Sequence, residues 1–274
     1  MRYKLLALDI DGTLTNSNKI ITTRTRNILI QLQKQGVKIA LASGRPTYGV
    51  LPLAKELKLD VYGGYILSFN GGYVQDVGSQ KVIYQDLLDE NAPGILYPLA
   101  KDNNCNILSY EEDSIITETP DDPYVLKEAF ITKMKVKQID SFTGYIDFPI
   151  PKCLIVQEEG HLAGVEKIIA SALGERFNVF RSEPYFLEIM PKSIDKAYSL
   201  SMLAGHLNLE PKDIMACGDS YNDLSMLKYA GLGVAMKNAR DIVKQAADYI
   251  TLSNDEDGIA HAIESLGLLT PLSI

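Results

Sequence analysis

Two aspartates near the start of the chain, Asp9 and Asp11, directly follow an apolar stretch and precede Gly12 and Thr13. Side chains two residues apart on an extended chain point to the same side, so both carboxylates are expected to face one pocket unless the turn that begins there changes their direction. One carboxylate can attack phosphorus to form an aspartyl phosphate, and a second can donate or accept the proton. A helix cap or a solvated turn is the alternative, but the apolar strand before the pair and the Gly-Thr after it favour chemistry.

A second candidate site is the segment Ser43-Gly44-Arg45-Pro46, where a predicted strand gives way to a predicted helix. Ser43 offers a hydroxyl group and Gly44 an unobstructed backbone N–H, and the helix dipole adds a favourable potential for an anion. Taken alone, the segment is equally explained by Ser43 capping the helix, with Pro46 in its first turn. Arg45 is interpreted either as a phosphate clamp or as a solvated surface residue.

Lys196 lies just inside a later predicted helix, directly after Asp195. A cation near a helix N-terminus opposes the helix dipole, so a purely structural position would favour an acid there. The placement therefore hints at function. Most lysines are simply solvated, however, and without the other motifs Lys196 would be given no role.

The fourth candidate site is an oxygen-rich cluster of Gly218, Asp219, Asn222 and Asp223 at the end of another apolar strand. Gly218 permits a tight turn, Asp219 follows the strand edge, and the other two lie one turn later. Such a cluster suits Mg²⁺, which prefers octahedral oxygen ligands that water and substrate phosphate complete. A capping box for the following helix is the alternative, and the pattern favours the metal site.

The elements that must position these sites alternate between largely apolar strands and amphipathic helices. Thr22 or Thr23 is predicted to cap the first helix, and Gly36 is predicted to end it. Largely apolar strands are expected where helices cover both faces of a sheet, and open α/β sheets place their chemistry at the carboxyl ends of the strands. The predicted strands are 5–8, 37–42, 66–69, 214–217 and 232–235, and the predicted helices are 23–35, 46–57, one around 200–207, one from 221 and one at the end of the chain.

Between the two α/β segments the pattern changes to short strands and helices, which we interpret as a separate α+β domain. A hairpin of strands 73–75 and 81–84 precedes it, and the dipeptide Asn70-Gly71 is itself a strong hairpin signal. Short strands are predicted near 106–108, 115–117, 154–156 and 186–188, and helices near 89–103 and 161–173. The prediction is a discontinuous, Rossmann-like core with a parallel sheet, formed by residues 1–84 and 190–274, and an inserted α+β domain of residues 85–189.

Composition limits the classes of protein to which the chain can belong. Its 274 residues are enough for two domains, and 46% hydrophobic and 23% charged residues are typical of a soluble globular protein. A net charge of -8 without a basic stripe argues against nucleic acid as a partner, and no apolar run reaches transmembrane length. Cys105, Cys153 and Cys217 are scattered and odd in number, which favours a reducing compartment. We expect a cytoplasmic protein.

Together, the four sites resemble the four motifs of the haloacid dehalogenase superfamily, and the chain is similar to its Cof-type phosphatases with a large C2-type cap. The segment Asp9-Ile10-Asp11-Gly12-Thr13 matches the first motif. Ser43, Lys196 and the segment 218–223 match the second, third and fourth motifs. The resemblance covers essentially the whole chain. The order and spacing of the motifs are highly specific. The inserted domain resembles the family's cap only in its size and in its pattern of short strands and helices.

The resemblance implies a role for each matching residue. Asp9 is expected to be the nucleophile and a Mg²⁺ ligand, and Asp11 the general acid and later the base, which binds the metal through its main-chain carbonyl. Asp219 is expected to complete the protein ligands, and Asp223 to orient the metal shell. The transferring phosphoryl group is expected to contact Ile10, Ser43, Gly44, Lys196 and Asn222.

Ala197 is a departure from the family pattern, which often has glycine after the lysine of the third motif. A methyl group at this position restricts the approach of the backbone to phosphate. Despite this difference, Lys196 is still expected to contact the transferring phosphoryl group.

The implied activity is that of a Mg²⁺-dependent phosphatase that hydrolyses small phosphomonoesters, such as sugar phosphates, through an aspartyl phosphate. Asp11 must be protonated when the alkoxide leaves, so we expect burial and neighbouring charges to shift its pKa. A phosphomutase of the same superfamily shares this chemistry and is the nearest alternative. An aspartyl-phosphate regulatory switch ranks lower, because receiver domains place the phosphoacceptor after a later strand and need no insertion of this size.

Overall fold

The computed structural model describes residues 3–269, which form two compact units. The first unit combines both ends of the chain, up to Gln85 and again from Asp195, and the second unit comprises Asp86–Ile194. Each unit has its own hydrophobic core of buried aliphatic and aromatic side chains. The two units are described separately below.

The first segment of the discontinuous unit alternates strands and helices and ends in a hairpin. Thr22 is the N-cap of the first helix, where its side chain accepts a hydrogen bond from the backbone N–H of Thr25, and Gly36 follows that helix with a φ of +92°. Both predicted boundary signals are therefore confirmed. The elements are β1 (Leu5–Asp9), α1 (Thr23–Lys34), β2 (Lys38–Ala42), α2 (Thr47–Glu56), α3 (Leu59–Tyr62), β3 (Tyr65–Ser68), β4 (Tyr73–Asp76) and β5 (Val82–Gln85).

The inserted unit is an α+β fold around a six-stranded sheet in the order β10-β11-β9-β6-β7-β8. All neighbouring strands in it are antiparallel except β7 and β8. Its elements are α4 (Ala92–Asp102), β6 (Asn106–Glu111), β7 (Ser114–Thr117), α5 (Pro123–Thr132), β8 (Lys135–Gln138), α6 (Phe142–Tyr145), β9 (Cys153–Val156), α7 (Glu159–Leu173), β10 (Phe177–Glu183) and β11 (Phe186–Pro191).

The last segment returns to the first unit and completes its sheet. The four-residue strand 232–235 is found with the predicted bounds. The elements are α8 (Lys196–His206), β12 (Ile214–Gly218), α9 (Leu224–Tyr229), β13 (Leu232–Ala235), α10 (Asp241–Ala246), β14 (Tyr249–Ile250) and α11 (Gly258–Ser265).

The sheet of the first unit has the strand order β14-β13-β12-β1-β2-β3-β4-β5. The six strands from β14 to β3 are parallel, and the β4–β5 hairpin continues the sheet in antiparallel fashion. All residues of β1 and β12 are buried, as expected for central strands covered on both faces. The α/β, Rossmann-like fold class is confirmed. Because β1, β2 and β12 are neighbours and parallel, their carboxyl ends meet at one edge of the sheet.

The sequence missed several elements of the inserted unit, among them α5, β8 and β10. β8 reads Lys-Val-Lys-Gln and is an exposed edge strand, in which lysines are common because they discourage pairing with other chains. The chain also returns to the first unit at Asp195, five residues later than predicted. The reason is that β11 continues to Pro191, which still pairs with Phe177 of β10.

Within residues 3–269, none of the helices combines the length and the apolar character that crossing a bilayer requires.

Candidate active site

Asp9 is the last residue of β1 and is 6% exposed. Its carboxylate oxygen Oδ1 accepts a hydrogen bond of 2.8 Å from Nζ of Lys196. This contact joins positions 187 residues apart in the sequence. The carboxylate at the edge of the central strand is therefore paired with a cation delivered by α8.

Lys196 is the first residue of α8 and is 1% exposed. Nζ donates to Asp9 Oδ1, to Asp223 Oδ1 at 2.7 Å and to the carbonyl oxygen of Ala42 at 3.2 Å, so all three ammonium protons have an acceptor. Burial alone would lower the pKa of Lys196, but the Asp223 and Asp9 carboxylates raise it above its ordinary value. The solvated alternative is wrong, and the two neighbouring carboxylates favour the charged form of Lys196.

The first turn of α8 is capped by Asp195, whose carboxylate accepts hydrogen bonds from the backbone N–H groups of Ala197 and Tyr198 at 2.7 and 3.0 Å. The acidic cap offsets the unfavourable position of a lysine at the helix start. It also engages the Ala197 N–H, so this amide is directed to Asp195.

Asp223 is fully buried and uses both of its carboxylate oxygens. Oδ1 accepts from Lys196, and Oδ2 accepts from the backbone N–H groups of Asp219 and Ser220, both at 3.0 Å. The contact with Ser220 belongs to a capping box, which the sequence offered as the alternative to a metal site. The structure contains the capping box, and the same carboxylate also lies in an acidic cluster that could hold a metal ion. Because its oxygens are already engaged, Asp223 fits the orienting role in a metal site.

Asp219 follows β12 and lies beside the turn after β1. Its Oδ1 accepts a hydrogen bond of 3.0 Å from the Thr13 hydroxyl, and its Oδ2 lies 2.6 Å from the point where a Cβ on Gly12 would stand. One carboxylate oxygen from each of Asp9, Asp219 and Asp223 lies within 4.8 Å of the others. Asp9 of the first predicted site therefore forms one cluster with Asp219 and Asp223 of the fourth.

The charges of this cluster fit a divalent cation. Three carboxylates face one buried ammonium group, which leaves an excess of negative charge. Burial and the Asp223 carboxylate raise the pKa of Asp9 well above its ordinary value, and the same two causes raise the pKa of Asp219. Mg²⁺ binds such oxygen clusters and would let the carboxylates stay ionised. Asp9 and Asp219 are the residues that would hold it.

We expect Mg²⁺ to stabilise the protein more at about pH 8 than at about pH 5. A carboxyl group whose pKa is raised in the folded state favours its protonated form. Stability is therefore lost as the pH rises from the pKa of the group in the unfolded chain to its higher pKa in the folded protein. A bound cation restores it, with a gain of roughly 5–10 °C in Tm when Mg²⁺ exceeds its Kd about 100-fold. Thermal unfolding with Mg²⁺ and with chelator at both pH values measures the effect. An equal or smaller gain at the higher pH would contradict it.

Gly12→Ala is expected to weaken Mg²⁺ binding about tenfold or more. Gly12 has a φ of +84°, and an added Cβ would collide with the Asp219 carboxylate. The matched control is Gly36→Ala, which imposes the same left-handed strain at a φ of +92° with no atom within 4 Å of the new Cβ. The readout is the Mg²⁺ dependence of Tm for each variant. If both substitutions weaken the Mg²⁺ dependence of Tm equally, the collision with Asp219 does not explain the effect of Gly12→Ala.

Ser43 directly follows β2 and does not cap α2. The N-cap of α2 is Pro46, which makes no side-chain capping bond, so the capping alternative for Ser43 is wrong. Ser43 is 3% exposed, and its hydroxyl oxygen accepts a 3.2 Å hydrogen bond from the Arg45 backbone N–H. Ile10, whose carbonyl oxygen accepts from Thr15 N–H at 2.9 Å, is fully buried. The phosphate contacts of Ile10, Ser43 and Gly44 stay predictions.

The Asp11 carboxylate faces two cations instead of the acidic cluster. Nε and Nη2 of Arg45 donate to its two oxygens at 2.8 and 2.7 Å, and Lys19 Nζ donates to Oδ1 at 2.8 Å. Burial alone would raise the pKa of Asp11, but the hydrogen bonds and charges of Arg45 and Lys19 lower it. The charges of Arg45 and Lys19 therefore favour the ionised form of the Asp11 carboxyl group. The implied metal contact of the Asp11 carbonyl stays a prediction.

Three residues near the site were not assigned to it from the sequence. Arg45 was left open between a phosphate clamp and a solvated residue, and the structure gives it a two-point contact with Asp11. Lys19 has a φ of +61° and carried no motif. Asn70 was interpreted as a hairpin residue, and it does lie in the turn between the antiparallel strands β3 and β4, but its side-chain oxygen Oδ1 also accepts a 2.9 Å hydrogen bond from Nδ2 of Asn222. Adjacency to Ser43 was the available signal for Arg45, and the resemblance of Asn70-Gly71-Gly72 to a family loop near the catalytic cleft was the signal for Asn70. The contact of Lys19 depends on tertiary structure.

The chain is similar to known hydrolases over nearly its whole length. A family model described as haloacid dehalogenase-like hydrolase matches residues 6–263. The crystal structure of a haloacid dehalogenase-like hydrolase from Bacteroides thetaiotaomicron is 51% identical, with a TM-score of 0.93, and the match covers 96% of this chain and 99% of that chain. The Bacillus subtilis (strain 168) protein named "Putative phosphatase YxeH" is 34% identical, covering 97% of this chain and 99% of that protein. The HAD subclass IIB sugar phosphatase BT4131 is 27% identical, with a TM-score of 0.80 and coverage of 97% and 99%.

Proposed function

The chain belongs to the family of haloacid dehalogenase-like hydrolases, and on this basis we propose that it is a Mg²⁺-dependent phosphatase of small phosphomonoesters. The observation that carries the proposal is the buried contact between Asp9 and Lys196, beside Asp219. It pairs the proposed carboxylate nucleophile with the ammonium group of Lys196, next to a proposed metal ligand. Sugar phosphates are the proposed substrate class, which the activity named for the sugar phosphatase BT4131 supports.

In the first half of the proposed reaction, an Asp9 carboxylate oxygen attacks phosphorus in line, and the bond from phosphorus to the substrate alkoxide breaks. Asp11 gives its proton to the alkoxide, so the product leaves as an alcohol. Lys196, the Ser43 hydroxyl and the Asn222 amide bind the phosphoryl oxygens. When bound, Mg²⁺ supplies Lewis-acid neutralisation of the phosphoryl charge.

In the second half, water attacks the phosphorus of the aspartyl phosphate while the Asp11 carboxylate accepts its proton. The bond from Asp9 to phosphorus breaks, and inorganic phosphate leaves. Asp11 held by Arg45 and Lys19 is in the ionised form that this half-reaction needs. Before the first half-reaction, Asp11 must give up its contacts with Arg45 and Lys19 and take up a proton.

Phosphate release from a panel of sugar phosphates and nucleotides, with Mg²⁺ and with EDTA, tests the proposal. We expect release that requires Mg²⁺ and that Asp9→Asn abolishes. An isomerised sugar phosphate without net phosphate release would identify a phosphomutase instead. Release that neither EDTA nor the substitution reduces would show that the chemistry lies elsewhere.

Two further assignments belong to this proposal. The inserted unit, residues 86–194, is proposed to be the family's cap, which selects the alcohol part of the substrate. The proposed location is the cytoplasm, and the three cysteines support a reducing compartment because all of them are buried free thiols.

A further inference from the structure

Asn70 lies in the turn that follows β3, a strand that supplies none of the predicted site residues. The turn comprises Phe69–Gly71, and its three residues have φ values of +53°, +56° and +99°. Only one of them is glycine, and other residues rarely adopt this left-handed conformation. Such conformations persist where the surrounding structure holds them, and they are concentrated at functional sites.

Two parts of the candidate active site hold this turn in place. The backbone N–H of Asn70 donates to the carbonyl oxygen of Ser43 at 2.9 Å, and that of Phe69 donates to the carbonyl oxygen of Arg45 at 3.0 Å. On the other side, a Cβ added to Gly71 would collide with Ser199 of α8. The turn is therefore fixed between the segment after β2 and the helix that begins with Lys196.

The Asn70 side chain lies beside Gly44 and forms a hydrogen bond with Asn222. A Cβ on Gly44 would stand 3.2 Å from Oδ1 of Asn70, and this same oxygen accepts the 2.9 Å hydrogen bond from Nδ2 of Asn222. Asn222 is exposed, and among residues 3–269 the Asn70 oxygen is the one hydrogen-bond partner of its side chain. Since an amide nitrogen carries two protons, the bond to Asn70 leaves one N–H of Asn222 with a fixed direction.

We propose that Asn70 is a positioning residue for phosphoryl binding, because its side-chain oxygen orients the Asn222 amide so that the second N–H is presented to phosphoryl oxygens beside Gly44. The inference rests on the proposed function. An exposed asparagine that is already ordered loses less conformational freedom when an anion binds. It also presents a donor to a charged acceptor, where a hydrogen bond changes affinity about tenfold or more.

Asn70→Gly is the test variant, because it removes the amide while glycine readily adopts the left-handed backbone. We expect the KM for a phosphomonoester and the Ki for inorganic phosphate each to rise about tenfold, with kcat changed less than about threefold. Asn208→Gly is the matched control. Asn208 is an exposed asparagine with a φ of +53° in the loop after α8, and its replacement should leave KM and Ki unchanged.

A double-variant cycle separates positioning from a general structural effect. In an Asn222→Ala background, Asn70→Gly should change the Ki for phosphate by less than about twofold, because the group that Asn70 orients is already missing. Additive effects of the two substitutions would overturn the proposal, as would a wild-type Ki in Asn70→Gly. Direct calorimetric titration with inorganic phosphate needs no turnover. If the wild-type protein hydrolyses no phosphomonoester, the proposed function fails, and the titration still decides the role of Asn70.

Discussion

Asp9→Asn is expected to abolish phosphate release and, at the same time, to make the metal-free protein more stable. The loss of turnover should be at least about 10³-fold, because the proposed nucleophile is gone. The gain in the free energy of unfolding should be about 1 kcal/mol. Burial and Asp223 disfavour a charge on Asp9, whereas an amide keeps an acceptor for Lys196 and adds no charge. Chemical denaturation in the presence of EDTA measures the stability change.

The control for this substitution is Asp241→Asn, which neutralises a carboxylate that is 93% exposed in the same unit. Both activity and stability should stay close to those of the wild-type protein, since exposed charges contribute little. If Asp9→Asn instead retained turnover, Asp9 would not be the nucleophile. A clear loss of metal-free stability would show that the contact with Lys196 outweighs the desolvation of Asp9.

Lys196→Met is expected to lower the free energy of unfolding by about 3–5 kcal/mol and to eliminate turnover. The substitution fills a similar volume but removes the cation that Asp9, Asp223 and the Ala42 carbonyl share. Two carboxylates would then be buried without a counter-charge, which is much more costly than losing an exposed ion pair. Denaturant unfolding without metal measures the loss. Lys228→Met, at an exposed position on α9, is the control and should change stability by less than about 0.5 kcal/mol.

A double variant separates the electrostatic cause from a packing defect. Asp9→Asn introduced into Lys196→Met removes one of the two unpaired carboxylates, so it should recover part of the lost stability, and the two effects should not add. Strict additivity would place the defect in packing. Mg²⁺ should also stabilise Lys196→Met more than the wild-type protein, because the cluster then has no other cation.

The sequence was sufficient to identify the residues of the acidic cluster and the helix that brings the lysine. Asp9 and Asp219 each follow an apolar strand, and parallel neighbouring strands end at the same edge of a sheet. The alternation of apolar strands with capped helices also predicted the α/β core, since both patterns are local. Weaker local patterns failed, as in β8, where the alternating lysines of an edge strand resemble a loop.

Side-chain direction was decided by the tertiary structure. From the sequence, the Asp9 and Asp11 side chains were expected to point to the same side, yet Asp9 points to Lys196 and Asp11 to Arg45. The turn that begins after Asp9 breaks the strand geometry that would have kept both side chains on one side. Their pKa values consequently shift in opposite directions.

The sequence by itself therefore determined which residue types reach the sheet edge, because strand ends, caps and glycines are encoded locally. Only the tertiary structure decided which of them touch. Asn70 contacts Asn222, which lies 152 positions away in the sequence. The side chain of Lys196 is completely buried. Such contacts depend on packing between β1, β2, β3, β12 and α8, and no local pattern of residues specifies them.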